Sequence, residues 1–386
     1  MNILYIGPNQ SEWADANCPG SLAAARWSRG LLKSLSKICN VTALTHTYYY
    51  PWPKGKKIWS GRDNRLYPSD WDCEVVTYPV LRYAREWWWR HGYARLALKI
   101  LHKKPIDVVL AYNCYEPWMV SVLQTIREKH PDVKIIPIVL DGDDPRKDDW
   151  GWMKRAAVFA DAFVVLSWWM YCNVRQNVGK SVYHLDGGAD GWQGVPPDVQ
   201  DKAITLVHTG ELDRWRGLDL MIAVMSQTLA RRKDVRFVFC GRVGIDAIRE
   251  RFGNSSQVEL LGFVEDDKLR DVCRNATAFL NVRDVSQPDN ILNYPSKLAQ
   301  YLSFGRPVVS TRLQSLSPDY DEVINFVPEN CAGGLAHGFV ETIESVLHWD
   351  GKCREEEYQK IKAWFAVRKS WDILARGLAD WLERMI

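Results

Sequence analysis

The chain has 386 residues, room for two domains of ordinary size, and its 47% hydrophobic and 25% charged residues are those of a soluble globular protein. Net charge is +3, with the basic excess in residues 1–100, which hold 14 Lys/Arg against 7 Asp/Glu. No apolar run approaches the ~20 residues of a membrane span and no leader precedes the strand-like Met1-Asn2-Ile3-Leu4-Tyr5-Ile6; nine cysteines without a Cys-x-x-Cys pair or zinc spacing imply reduced thiols, a cytoplasmic setting and no cysteine-based metal site.

Residues 2–7 read as a strand, 21–36 as a helix with Leu22, Ala25, Leu31, Leu32 and Leu35 on one face, and 41–45 as a second strand. This βαβ start lacks Gly-x-Gly-x-x-Gly, which argues against a dinucleotide site. Residues 46–80 show no period and read as an irregular insertion. Residues 82–104 read as a helix mixing Arg and Lys with Trp87, Trp88 and Trp89. That mixture suits three roles: a Trp face packed on the sheet, peripheral contact with an anionic membrane, or tracking of a nucleic-acid backbone. Strands at 106–111, 134–140, 162–166 and 182–185 alternate with helices at 118–129, 154–160 and 168–178. Such alternation predicts a parallel sheet covered on both faces. Ligands bind beyond the carboxyl ends of such strands, which gathers residues 7–9, 113–116 and 141–144 around one crevice.

Residues 186–201, rich in Gly and Pro, read as a linker. A second series follows, with strands at 204–209, 235–240, 258–261 and 278–282 and helices at 218–231 and 266–275. It leads into Asn293-Tyr294-Pro295-Ser296-Lys297-Leu298-Ala299-Gln300-Tyr301-Leu302-Ser303-Phe304-Gly305-Arg306-Pro307-Val308-Val309-Ser310. Pro295 fits a first helical turn, Ser296 and Lys297 sit where a helix start favours a phosphate, and Gly305 closes the helix before a short strand. After a strand at 323–327 and helices at 335–347 and 358–365, residues 371–386 form a last helix with Trp371, Leu374, Leu378, Trp381 and Leu382 as its apolar stripe.

The run Pro295-Ser296-Lys297-Leu298-x-x-Tyr301-x-x-x-Gly305-Arg306-Pro307-Val308 resembles the donor-binding helix of GT-B glycosyltransferases. The motifs agree in order over residues 180–310, and residues 1–180 agree in architecture. The resemblance implies an α/β fold of two Rossmann-like domains (GT-B), their parallel sheets facing across an interdomain cleft. It implies an acceptor-side domain at 1–190, a nucleotide-sugar domain at 191–370 and a helix at 371–386 crossing back. The activity implied is transfer of a sugar from a nucleotide diphosphate sugar, a UDP-sugar first, with retention. The nucleotide sugar is then a co-substrate, and neither cofactor nor bound metal is required. The acceptor stays open among glycan, lipid-linked, protein and modified nucleic-acid molecules, and the enzyme is cytoplasmic with or without membrane association.

By the same resemblance Gly20 approaches the donor diphosphate. Glu211 stands where the family carries Arg, and a carboxylate there would repel the diphosphate, so Arg214 is the substitute cation. Arg216 and Lys297 are the diphosphate pair, with Ser296 beside them. Gln300 replaces the Glu that holds the ribose. Leu292 takes the place of the family's other glutamate, leaving Asp289 and Asn290 for the sugar hydroxyls. On the acceptor side Asp141, Asp143 or Glu116 is the general base if the enzyme inverts, and positions the acceptor if it retains. Two alternatives stand beside this: a metal-dependent transferase using Asp141 and Asp143 as oxygen ligands, and a sugar-nucleotide or nucleic-acid binder that has lost catalysis.

Overall fold

A computed structural model describes residues 1–18, 21–61, 64–67, 71–82, 84–114, 116–140, 150–196 and 204–386. The chain divides into two compact units, one of Met1–Gly188 with Trp371–Ile386 and the other of Ala189–Ser370.

The first unit begins with β1 (Asn2–Ile6), α1 (Glu12–Asn17), α2 (Leu22–Leu35) and β2 (Asn40–Thr45). The stretch expected to be irregular contains β3 (Cys73–Val75), which pairs with β2 from Ala43↔Cys73 to Thr45↔Val75. Three residues are too few for any alternation to show in the sequence. Next come α3 (Arg85–Lys103), β4 (Val108–Tyr112), α4 (Pro117–Lys129), β5 (Lys134–Val139), α5 (Gly151–Ala157), β6 (Ala162–Val165), α6 (Trp168–Val178) and β7 (Ser181–His184). The sheet order is β3-β2-β1-β4-β5-β6-β7, every pair parallel. Ile3, Leu4, Tyr5 and Ile6 and Val108 to Ala111 are fully buried, the continuous apolar runs that a sheet covered on both faces demands. In α3 the residues Trp89, Tyr93, Ala97, Ile100 and Leu101 recur on one face and are buried. The chain runs outward through β2 and β3, then restarts on the other side of β1 at β4. That reversal opens a crevice beyond the ends of β1 and β4.

The second unit contains β8 (Ile204–Thr209), α7 (Leu218–Arg231), β9 (Val235–Cys240), α8 (Ile245–Phe252), β10 (Val258–Gly262), α9 (Asp266–Arg274), β11 (Ala278–Asn281), α10 (Pro288–Leu292), α11 (Lys297–Ser303), β12 (Val308–Thr311), β13 (Asn325–Val327), α12 (Gly334–Leu347) and α13 (Gly351–Arg368). Its six parallel strands run β10-β9-β8-β11-β12-β13, so the order reverses between β8 and β11. The core joins Leu206, Phe237, Leu280 and Val309 of the sheet to Met221, Met225, Phe339 and Ile343 of α7 and α12. Helix α11 starts at Lys297, two residues later than Pro295 suggested. Pro295 instead accepts the Leu298 N–H at 3.0 Å. Gly305 ends the helix at φ 67°, a conformation that only glycine takes without penalty.

The last helix, α14 (Trp371–Glu383), belongs to the first unit. Trp371 meets Trp27 of α2 edge-on at 6.0 Å and lies directly over Gly30, where any side chain would collide with its indole. Lys37 pairs with Asp372 at 2.6 Å, and Trp381 stacks on Tyr183 of β7 at 5.1 Å. Among the described residues no helix is long and apolar enough to cross a membrane.

Candidate functional site

In the second unit the crevice between β8 and β11 collects positive charge. β8 ends in His208-Thr209, with His208 2% exposed, and Gly210 follows at φ 85°. The Gly210 N–H donates to Cys240 O at 2.6 Å, and a Cβ on Gly210 would face Lys297 Nζ at 3.7 Å. That is ordinary van der Waals distance, so it is the left-handed backbone that calls for glycine here. Tyr301 fixes α11 to the same strand end. Its hydroxyl accepts from the Thr209 N–H at 2.8 Å, and its ring stacks on Phe279 of β11 at 4.2 Å and 6°.

That anchorage holds Lys297 Nζ 3.2 Å from His208 Nε2. His208 Nδ1 lies 3.0 Å from Leu280 O; a carbonyl can only accept, so Nδ1 carries the hydrogen and Nε2 receives one from Lys297. Burial, then the neighbouring Lys297 charge, hold the imidazole well below its usual range and therefore neutral. Lys297 itself is held well below the usual lysine range, first by burial, then by repulsion from Arg283 and Arg216; Glu211 acts the other way. Arg283 follows β11 and is lowered to about 10, by burial and then by Arg216. Among the described residues neither Lys297 nor Arg283 has a carboxylate in ion-pair contact, while Arg216 pairs with Asp213 and lies 3.2 Å from Glu211. Two guanidinium groups, one lysine whose charged form is disfavoured and one neutral imidazole thus influence one another at one crevice, where two carboxylates lie against Arg216. A polyanion entering it removes a repulsion that the empty site sustains.

The expected site residues divide accordingly. Lys297 and Arg216 are brought together. Glu211 lies against Arg216 and offsets part of its charge. Arg214 is exposed, 4.0 Å from Asp219 in α7, and among the described residues no side-chain contact ties it to this cluster. Asn290, 4% exposed, donates both amide hydrogens to backbone, to Trp215 O at 3.1 Å and Asp284 O at 2.6 Å, while its Oδ1 accepts from Arg283 at 3.4 Å. Its observed task is to tie the loop before α10 to the loop after β8 and to orient Arg283. Asp289 lies in α10, its side chain outside the described residues. Ser296 is exposed and makes no capping bond to α11. Gln300 is half-buried one turn beyond Lys297. His208 and Arg283 escaped the sequence reading. The switch-point rule pointed to them, but strand order, which the sequence does not state, is needed to apply it.

In the first unit the described residues at the crevice beyond β1 and β4 include two buried amides and one carboxylate. Asn9 is fully buried; its N–H donates to Thr45 Oγ1 at 3.2 Å and its Oδ1 has no partner among the described residues. Asn113 takes φ 60°, unusual outside glycine, and its buried Oδ1 likewise has no partner among the described residues. Glu116 precedes α4 and accepts from Trp118 Nε1–H. Gly20, Asp141 and Asp143 lie outside the described residues. Among those described, no three His, Cys, Asp or Glu side chains form a group able to hold a metal ion.

Residues 203–345 match the family model described as Glycosyl transferases group 1, starting later and running further than the 180–310 read from motifs. The chain is 26% identical over 189 residues to the phosphatidylinositol N-acetylglucosaminyltransferase gpi3 subunit of Schizosaccharomyces pombe, covering 46% of this chain and 39% of that one. It spans well under half the length of the curated relatives it matches. In fold it is similar to the sucrose-phosphate synthase of Thermosynechococcus elongatus, TM-score 0.69 at 13% identity over 100% of this chain and 99% of that one. It is also similar to the lipopolysaccharide outer core galactosyltransferase WaaB, TM-score 0.63 at 13% identity over 100% of both chains.

Proposed function

We propose that this chain, which has the GT-B fold and matches the group 1 glycosyl transferases over residues 203–345, transfers a sugar from a nucleotide diphosphate sugar to an acceptor. The observation that carries this reading is the cation cluster of Lys297, Arg283 and Arg216 at the β8/β11 switch point. Breaking the sugar–phosphate bond builds negative charge on the leaving diphosphate, and fixed cations in a partly desolvated crevice are an effective way to stabilise it. His208 accepts a hydrogen from Lys297 and so aims the ammonium; Asn290 does the same for Arg283. The cation that the family takes from the position of Glu211 is supplied here by Arg283, from the neighbouring strand.

The reading includes retention, with the leaving phosphate taking the acceptor proton. The one described carboxylate of the expected acceptor-side trio, Glu116, is engaged by the Trp118 indole N–H. A UDP-sugar is the first donor to try. The test is incubation with labelled UDP-sugars, with and without EDTA, following release and the anomeric configuration of the product by NMR. Metal-independent turnover with retention supports the reading. Binding of nucleotide sugar without hydrolysis or transfer would instead favour a non-catalytic sugar-nucleotide binder, the reading to which Gln300 in place of the ribose-holding Glu gives some weight.

A further inference from the structure

Helix α3 divides its tryptophans. Trp89 is 5% exposed and packs among His46, Tyr78 and Trp118, so this part of the helix belongs to the core and residues 82–104 do not form one continuous interfacial face. Its first turn behaves differently. Trp87 is 57% and Trp88 38% exposed, and Trp88 meets Trp59 at 5.3 Å and Trp87 at 5.4 Å. Trp59 comes from the 50–59 loop, which backbone contacts stitch to the segment leading into α3. The Trp52 N–H donates to Val80 O at 2.9 Å and the Val80 N–H to Ile58 O at 2.7 Å. The loop adds Trp52, 53% exposed, and Ile58, 62% exposed, and the segment adds Leu81, 38% exposed. Two stretches distant in sequence thus build one contiguous apolar patch on the surface of the first unit, which burial within this unit does not explain.

Charge surrounds it. Residues 50–59 and 79–95 hold seven Lys/Arg against the single Glu86. Lys54, Lys56, Lys57 and Arg90 are exposed, and Lys54 and Lys57 lie over the rings of Tyr50 and Tyr49 at 4.5 Å each. We propose that this patch seats the first unit on the surface of an anionic lipid bilayer, with the indole rings and Ile58 entering the headgroup boundary and the lysines reaching the headgroups. Tryptophan is at home at that boundary, and flexible lysine stems keep their charges in water while the rings descend. A nucleic acid explains the cations and rings but gives exposed Ile58 and Leu81 nothing to contact. A protein partner explains the apolar residues, but lysine is depleted at the cores of such interfaces. The inference stands independently of the donor site.

The test is flotation of the full chain with vesicles of phosphatidylcholine alone or mixed with phosphatidylglycerol. The wild type is expected to float with the mixed vesicles, less at raised salt, and I58S/W87S/W88S to lower the bound fraction at least about tenfold. V367S, which alters a residue 65% exposed on α13, is the control and should leave binding unchanged. Each variant is checked for an unchanged melting temperature, and I58S alone carries the test if the triple variant is destabilised. No flotation of the wild type, or full flotation of the triple variant, overturns the proposal. So does duplex DNA binding, or concentration-dependent self-association, that the same substitutions abolish in the absence of vesicle binding.

Discussion

The two parallel sheets follow one topological rule and end in opposite chemistry. Each reverses its strand order once, between β1 and β4 in the first unit and between β8 and β11 in the second, and each reversal opens a crevice. Among the described residues the first is edged by Glu116 and by two buried amides, Asn9 and Asn113, whose oxygens lack partners there. The second is edged by Lys297, Arg283 and Arg216 around a neutral His208. Topology decides where a ligand can lie; the residues just beyond the strand ends decide what charge it carries. Buried hydrogen-bonding amides suit a hydroxylated molecule and a cationic crevice suits a diphosphate.

The strongest way to break the contrast is Lys297→Met. Nucleotide diphosphate affinity, measured by calorimetry, should fall about a hundredfold or more, because a charge-assisted contact is lost along with the ammonium. The unliganded protein should meanwhile melt higher, by ~2 °C, since a disfavoured cation is gone. Arg283→Leu comes next, with an expected loss of affinity of about thirtyfold. An effect no larger than that of Arg214→Leu would remove Arg283 from the donor site.

The pH dependence sharpens the same contrast. Lys297 in the empty site is held below its usual range, and a bound diphosphate favours its charged form, so binding takes up a proton. Affinity should be level at low pH, fall as pH rises through the empty-site value, and level off above the bound one. Calorimetry in buffers of differing ionisation enthalpy should show uptake, and a buffer-independent enthalpy would contradict it. For the empty protein the sign is opposite. The unfolded chain holds this proton to higher pH, so its titration makes stability rise as pH rises between the folded and unfolded values.

Smaller effects follow from the two carboxylates. Glu211→Gln should tighten nucleotide diphosphate binding by about two- to fivefold, because it frees Arg216 from a competing anion; weaker binding would mean that Glu211 is needed to position the guanidinium. In the first crevice Glu116→Gln should leave donor affinity within about twofold, as the side chain belongs to the other unit and keeps a carbonyl acceptor for Trp118. Asn113→Ala should cost about 1 kcal/mol in denaturant unfolding while Asn113→Gly is near neutral, given the left-handed backbone there.

Much of this could be read in the sequence because the signals were local. The bounds of α6, β8, α7 and β9 fall where periodicity and turn residues put them, since each is a run of apolar residues closed by glycine or charge. Short elements such as α1, β3 and α10 were missed, being three to six residues long and held by tertiary contacts rather than by pattern. In the donor site Lys297 and Arg216 were legible because they belong to a contiguous motif or stand next to one. His208 and Arg283 were not, because they meet only once β8 and β11 lie side by side.

By itself the sequence determined two doubly wound parallel domains and a helix–glycine–strand unit fit for a nucleotide sugar. These follow from hydrophobic period, caps and turn residues, all of which act within a few positions along the chain. Strand order was decided only in three dimensions, and with it which strand ends touch. So were the neighbours of each side chain: Glu211 lies against Arg216, and the three adjacent tryptophans of α3 split between core and surface. Electrostatics and burial depend on neighbours through space, and those neighbours lie scores of residues apart along the chain.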